Sequence, residues 1–231
     1  KRSLKLYELD KLIKPVDTDW VTHSKSNTVR KGSVDIVAKP CHKWKVLQNA
    51  FKKAMKWSTG LDRALAVSLA SITSTKAIGD QLWVKVIGPA SCGKSTICEA
   101  LSVAKKYVLA TSTIRGFHSG FQTDRAGRED NSLISQLYDK TLVTKDGDTL
   151  LQSPNLGQIL SEARDIYDRV SRTHYRNRMS RDYEGVSMTW ILCGTSSLRS
   201  IDSSELGERF LDCVIMEGID AITGPAEGVS M

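Results

Sequence analysis

The sequence predicts an α/β protein in which a mostly parallel central sheet is flanked by helices and preceded by an N-terminal extension. Two observations carry this prediction. First, short apolar runs rich in β-branched residues alternate with segments of helical periodicity, as in βαβ units. Second, residues 88–95 match the phosphate-loop pattern G-x-x-x-x-G-K-[ST], which joins a strand to a helix in such sheets. Ligands are therefore expected beyond the carboxyl ends of the strands.

By composition the chain divides into three parts. Residues 1–43 form a basic N-terminal extension, residues 44–220 a core, and residues 221–231 a C-terminal tail. Lys and Arg exceed Asp and Glu by 33 to 26, which gives a net charge of +7. An excess of this size fits a surface that binds a polyanion.

In the first half of the core, a strand is predicted directly before the phosphate loop and a helix directly after it. Residues 44–57 show apolar side chains at helical spacing with lysines opposite, which favours an amphipathic helix facing a core over a nucleic-acid-binding helix. In chain order there follow a helix at 61–75, a strand at 82–87, a helix at 96–104 and a strand at 107–111.

The second half of the core continues the alternation. The predicted elements are a helix at 131–138, a strand at 140–144, a helix at 156–168, a strand at 187–193, a helix start near Asp202 and a last strand at 212–216. The five cysteines are scattered without a C-x-x-C pair, so they are expected to be free thiols in a reducing compartment.

The phosphate loop has a clear chemical reading. A triphosphate needs several backbone N–H donors directed at one point, and Gly88 and Gly93 let the loop turn tightly enough to supply them. Lys94 brings a cation to the β and γ phosphates, Ser95 offers a hydroxyl to Mg²⁺, and the helix dipole adds positive potential. The predicted cofactor-binding residues are Gly88, Pro89, Ala90, Ser91, Cys92, Gly93, Lys94, Ser95 and Thr96.

The order of motifs resembles that of the AAA+ ATPases. The loop is followed about 50 residues later by an acidic strand end, then by Thr195 closing a strand and by Arg209 before the last strand. The likeness covers about residues 61–217 and is greatest to phage-encoded replication ATPases and helicases of the superfamily 3 type. It implies a P-loop NTPase fold of the AAA+ type, ATP and Mg²⁺ as cofactors, and self-association into a ring, expected to be a hexamer.

The resemblance also assigns the catalytic carboxylates. Asp146 corresponds to the Walker B residue that, with Ser95, holds Mg²⁺. The family places a water-orienting Glu directly after it, whereas this chain has Gly147. Asp148 or Glu162 is then the alternative base, or hydrolysis is slow. The dipeptide at 146–147 also fits a plain turn.

Two further catalytic assignments come from the resemblance. Thr195 corresponds to the first sensor, which contacts the γ-phosphate or the attacking water; a helix cap is the alternative. Arg209 corresponds to the arginine finger that reaches the nucleotide of a neighbouring subunit, with a structural ion pair as the alternative. The predicted catalytic set is therefore Lys94, Asp146, Asp148, Thr195 and Arg209.

Two basic, aromatic segments fall where the family places its channel-lining loop and hairpin. The first, residues 114–121, is expected to be a mobile loop with stacking faces and phosphate contacts. The second, residues 172–181, carries four arginines and one tyrosine. Solvated charge is the alternative for each. The predicted nucleic-acid-binding residues are Arg115, Phe117, His118, Phe121, Arg172, Arg176 and Arg178.

Together these features predict a ring-forming ATPase acting on DNA, single-stranded DNA being favoured, with a helicase of phage replication as the expected activity. A helicase loader or a nucleotide-gated DNA-binding switch is the alternative, and a P-loop small-molecule kinase is a more distant one. No apolar stretch approaches the roughly 18 residues of a membrane span, so no membrane partner is expected. The expected location is the cytoplasm, that of the host if the protein is phage-encoded.

Overall fold

The computed structural model describes residues 43–120, 130–175, 179–201 and 209–216. The chain forms two compact units, residues 1–56 and 57–231. In the first unit, helix α1 spans Trp44–Ala54 and ends where Met55 becomes extended, three residues before the predicted end. The tail at 221–231 and the helix start predicted near Asp202 lie outside the described residues.

The second unit is built on the predicted parallel sheet. Its strands are β1 (Trp83–Ile87), β2 (Val108–Thr111), β3 (Lys140–Thr144), β4 (Val170–His174), β5 (Ser180–Glu184), β6 (Met188–Gly194) and β7 (Phe210–Val214). Five of them form one sheet in the order β2-β3-β6-β1-β7, and all neighbours are parallel. The carboxyl ends of β1, β3 and β6 therefore open at one edge.

Helices flank this sheet. They are α2 (Thr59–Ser74), α3 (Lys94–Ser102), α4 (Gly147–Leu151) and α5 (Leu156–Tyr167). α2 packs against β1, β6 and β7, α3 packs against β2 and β6, and α5 packs against β4. α2 begins two residues earlier than predicted because the Ser58 hydroxyl accepts a hydrogen bond from the backbone N–H of Leu61, which caps the helix.

An aromatic cluster fills the core between the sheet and α5. The Trp83 ring meets Tyr167, Trp190 and Phe210 edge-on, with ring centroids 5.1 to 5.7 Å apart. Edge-to-face contacts of this kind add to the free energy gained from burial alone. β1 and β6 are buried along their whole length, which explains why both read in the sequence as continuous apolar runs.

Two predicted elements were wrong in this unit. Residues 131–138 form only a short 3₁₀ turn, Ile134–Gln136. The N–H groups of Gln136 and Leu137 bond to carbonyls three residues earlier, those of Leu133 and Ile134, which is the 3₁₀ pattern and not the α-helical one. The last strand is β7 and begins two residues earlier than predicted.

Near the acidic strand end, the strand agrees with the prediction and a short helix follows it that was not predicted. β3 has the predicted bounds, but residues 147–151 form α4 where only a turn was foreseen. β7 spans Phe210–Val214 where a strand at 212–216 was predicted, and its Leu211 and Asp212 are both exposed. Of the described cysteines, Cys92, Cys98, Cys193 and Cys213 are free thiols.

Candidate active site

The phosphate loop runs from the carboxyl end of β1 into the first turn of α3. Gly93 has a φ of 103° and Ser91 a φ of 61°, so two loop residues adopt the left-handed conformation that turns successive N–H groups inward. A Cβ on Gly88 would lie 2.9 Å from the Cys92 sulfur and 3.1 Å from the Ile215 Cβ, so only glycine fits there. The loop thus presents its backbone at a helix N-terminus, which is a favourable place for an anion.

The side chain of Lys94 is folded over this loop. Its ammonium donates to the carbonyls of Gly88 at 2.7 Å and Pro89 at 2.6 Å, and lies 3.6 Å from the Cys92 sulfur. These partners are all uncharged. The cation is therefore held at the centre of the loop, and no carboxylate of the described residues forms an ion pair with it.

A second group of polar side chains lies at the ends of β3 and β6. One Asp148 oxygen accepts from the Thr195 hydroxyl at 3.0 Å and from the Ser197 hydroxyl at 2.5 Å, and the other accepts from the Thr195 N–H at 3.0 Å. Partial burial raises the pKa of Asp148, but hydrogen bonds from Ser197 and Thr195 and the charge of Lys94 hold it below the usual aspartate value. Asp148 is therefore an ionised carboxylate that interacts electrostatically with the loop lysine.

The absence of a side chain at position 147 has a steric cause. A Cβ on Gly147 would lie 2.8 Å from a Leu198 methyl carbon, 2.9 Å from a Leu192 methyl carbon and 3.0 Å from the Cys193 carbonyl oxygen. No glutamate fits at this position. The carboxylate that follows the strand end is consequently displaced by one residue, to Asp148.

The other two candidate carboxylates, Asp146 and Glu162, accept hydrogen bonds that stabilise the local structure. Asp146 is exposed and caps α4, accepting the Thr149 N–H at 3.0 Å and the Thr149 hydroxyl at 2.5 Å. Glu162 is buried on α5, where its oxygens accept the Phe117 N–H at 2.7 Å and the Gln158 amide at 2.8 Å. Glu162 thus anchors the backbone at 117, while Asp146 keeps a solvent-facing carboxylate.

Arg209 lies at the opposite edge of the sheet. It precedes β7, whose register with β1 places it about six residues, or ~20 Å at 3.3 Å per residue, from the phosphate loop. Its guanidinium lies 3.5 Å from Asp168 and 5.3 Å from the centre of the Tyr167 ring. The structure therefore keeps Arg209 apart from the site of its own chain and gives it the ion pair named above as the alternative.

The first predicted nucleic-acid segment is only partly as expected. Phe117 is fully buried, with its ring edge-on to Trp190 at 5.4 Å, so the expectation that it offers a face to a base is wrong. His118 is half-buried and bonds Ser171 at 2.8 Å; burial lowers its pKa. Arg115 is exposed, whereas Phe121 lies outside the described residues.

This segment is also packed rather than free as far as residue 120. The Glu162 carboxylate holds its backbone at 117, and a Cβ on Gly120 would lie 2.8 Å from the Tyr175 ring. The glycines here admit close packing against the neighbouring elements. Residues 114–120 thus have packing contacts that the sequence did not predict, and the mobility of the loop stays a prediction.

The second segment forms an antiparallel hairpin of β4 and β5. Arg172 is exposed, with its guanidinium 2.7 Å from Glu184 and 3.9 Å from Asp182. Arg181 pairs with Asp130 at 3.6 Å. Carboxylates of the same unit thus offset two of the four arginines, and Arg176 and Arg178 lie outside the described residues.

Ser197 is a site residue that the sequence reasoning missed. It stands two residues after Thr195, where the chain enters the 3₁₀ turn Ser196–Ile201, and its hydroxyl contacts both Thr195 and Asp148. A polar run after a buried strand was the available signal, but only Thr195 was selected from it. Its contact with a residue 49 positions earlier arises only from the adjacent strands β3 and β6.

No family model matches this chain, and no curated protein is significantly similar to it. Within the described residues, no three His, Cys, Asp or Glu side chains are grouped so that they could hold a metal ion. In the same part of the chain, no helix is long and apolar enough to cross a membrane.

Proposed function

We propose that this chain is an ATP-hydrolysing P-loop protein of the AAA+ type. The observation that carries the proposal is the meeting, at one sheet edge, of a loop built for an anion and an ionised carboxylate. Lys94 lies over the loop after β1, and Asp148 is held by Thr195 and Ser197 at the ends of β3 and β6. A cation and an oriented carboxylate beside backbone N–H groups are the parts that phosphoryl transfer requires.

The residues present fit ATP with Mg²⁺. The two left-handed loop residues and the N-terminus of α3 suit the phosphates, and the oxygens of Ser95, Asp146 and Asp148 are the hard donors that Mg²⁺ prefers. When bound, Mg²⁺ supplies charge neutralisation on the phosphate oxygens. Asp148, fixed by Thr195, would orient the attacking water, and Lys94 would exchange its carbonyl contacts for a phosphate.

ATP turnover by the purified chain tests this proposal. Lys94→Ala and Asp148→Asn should each lower the rate by about 10² to 10³, the usual cost of losing one charge-stabilising or positioning group. Lys105→Ala removes an exposed lysine after α3 and serves as the control with an unchanged rate. A rate that survives both site substitutions would overturn the proposal.

We further propose that the protein acts on DNA, single-stranded DNA being favoured, as a ring-forming helicase of phage replication. The motif order supports this assignment. So does Arg209, which is separated from its own phosphate loop and can complete a site only in a second copy. The exposed Arg115 and Arg172 remain available to phosphates, with Arg172 offset by Glu184.

A nucleotide-gated switch is the second candidate, and one observation favours it. Asp148 already accepts hydrogen bonds from three donor groups and Lys94 donates to two loop carbonyls, so both groups must give up contacts before turnover. Such a site would bind ATP firmly and hydrolyse it slowly. Turnover measured with and without single-stranded DNA separates the candidates, because a motor is stimulated and a switch is not.

A further inference from the structure

The net positive charge of this protein comes from its first unit. Residues 1–56 contain 14 Lys and Arg against 5 Asp and Glu, a net charge of +9. Residues 57–231 contain 19 against 21, a net charge of −2. The unit that carries the phosphate loop is therefore slightly acidic, and the polyanion-binding surface indicated by the total charge belongs to the other unit.

The lysines of helix α1 are gathered on one face. Residues 43–56 hold five lysines and no acidic residue. Lys45, Asn49, Lys52 and Lys53 follow the spacing i, i+4, i+7 and i+8, which places them on the same side of the helix, and all four are exposed. Phe51 projects elsewhere and is buried. We call these four residues the lysine face.

The lysines of the lysine face are not neutralised by acidic side chains in the described part of the chain. Lys45, Lys52 and Lys53 form no ion pair with the described residues. Lys52 and Lys53 suit the negative end of the helix dipole, but Lys45 stands in the first turn, which holds no acid and where a cation opposes the dipole. A lysine that weakens its own helix indicates a partner outside it.

We propose that the lysine face binds the phosphodiester backbone of nucleic acid without regard to sequence and without ATP. Lys45 and Lys52 are about 10 Å apart along the helix, a span of about three phosphates at ~3.4 Å each along one strand. A membrane surface fits less well, because a helix lying on lipid needs several apolar residues exposed for insertion; on α1 Val46 is exposed, but Trp44 and Leu47 are partly buried and Phe51 is buried. The inference does not depend on ATP hydrolysis.

The test is fluorescence anisotropy of a labelled 20-nucleotide oligo-dT with the full chain, without nucleotide, across a salt series. Lys52→Gln with Lys53→Gln should weaken binding about tenfold at low salt and lower the slope of log K against log salt by about 1.4, at ~0.7 per phosphate contact. The matched control is Lys105→Gln with Lys106→Gln, an adjacent exposed pair in the second unit, which should leave both unchanged. Lys52→Arg with Lys53→Arg should bind like the unmodified chain.

Three outcomes would overturn the inference. These are an unchanged salt slope in the Gln pair, equal loss in the control pair, and binding of phosphatidylserine vesicles in place of oligo-dT. ATP turnover is measured on the same variants. Loss of oligo-dT binding with turnover intact supports the lysine face, whereas absent turnover with intact binding counts only against the ATPase proposal.

Discussion

At the scale of single residues, the site depends on where a side chain can be accommodated. The end of β3 lies so close to Leu198 and Leu192 that position 147 has no room for a Cβ, and the next residue supplies the carboxylate. Hydrogen bonds from Thr195 and Ser197, which follow the end of the adjacent strand β6, then fix the position of the Asp148 carboxylate. One steric restriction thus decides which acid faces the loop lysine.

The first prediction concerns this restriction. Gly147→Ala should lower the free energy of unfolding by about 1 to 3 kcal/mol, the usual cost of overpacking, because the new methyl meets the Cys193 carbonyl as well as flexible leucines. Urea denaturation measures it. Gly157→Ala, at an exposed position in the first turn of α5, is the control and should leave stability unchanged or slightly higher. Equal stability of the two variants would show that position 147 can relax.

Residue-level reasoning from the sequence succeeded where a pattern is local and failed where a contact is distant. The loop at 88–95 follows from the geometry that phosphate binding demands of neighbouring residues; the strand before it lies within one residue of the prediction, and the helix after it begins and ends two residues earlier than predicted. Phe117 was misjudged because an aromatic in a glycine-rich segment looks exposed until Trp190, 73 residues later, covers it. Ser197 was missed for the same reason.

At the scale of elements, the pairing of β1 with β7 contains a buried charge. Lys85 is fully buried in β1, between β6 and the edge strand β7, and its ammonium lies 2.9 Å from Asp212, its register partner on β7. Asp212 is partly exposed and also lies 3.9 Å from Arg199. Both charged residues lay inside strands that the sequence predicted, because the surrounding residues are apolar, but their pairing follows only from the register of β1 with β7.

The second prediction compares the two ends of this ion pair. Asp212→Ala deprives a buried cation of its carboxylate and should cost about 3 kcal/mol, toward the lower end of the range for broken buried pairs because Asp212 is partly hydrated. Lys85→Met replaces the cation by an apolar chain of similar length and should cost less. Urea unfolding of both variants at neutral pH gives the order, and a larger loss in Lys85→Met would contradict it.

The elements around the hairpin show why the fold was more predictable than the candidate nucleic-acid surface. Parallel strands and their helices follow from the period of apolar residues along the chain. The offset of Arg172 by Glu184 and of Arg181 by Asp130 depends on strand register and on a segment 50 residues earlier. The number of arginines in residues 172–181 therefore overestimates the positive potential of the hairpin.

At the scale of the whole molecule, the sheet separates two halves of a proposed catalytic site. The phosphate loop, Asp148 and Thr195 lie at the carboxyl edge, while Arg209 lies about 20 Å away at the amino edge, beside Asp168. Within one chain these groups do not meet. If Arg209 takes part in turnover, it does so on a second copy of the chain, and its link to Asp168 must open first.

The last prediction uses this separation to test assembly and catalysis together. Lys94→Ala and Arg209→Ala chains should each be nearly inactive alone, the second by up to ~10³ if the arginine acts as a finger. When the two are mixed, some interfaces combine an intact loop from the Arg209→Ala chain with an intact arginine from the Lys94→Ala chain. Turnover should therefore rise above the sum of the separate samples.

The control for this mixing experiment is Lys94→Ala with Asp148→Asn. Both substitutions damage the same sheet edge, but neither touches Arg209, so a mixture of these chains contains no intact loop site and should stay inactive. Recovery in the first mixture alone identifies a site shared between subunits. No recovery, together with an Arg209→Ala chain of full activity, would leave Arg209 as the structural partner of Asp168 and Tyr167 and would remove the chief support for a ring.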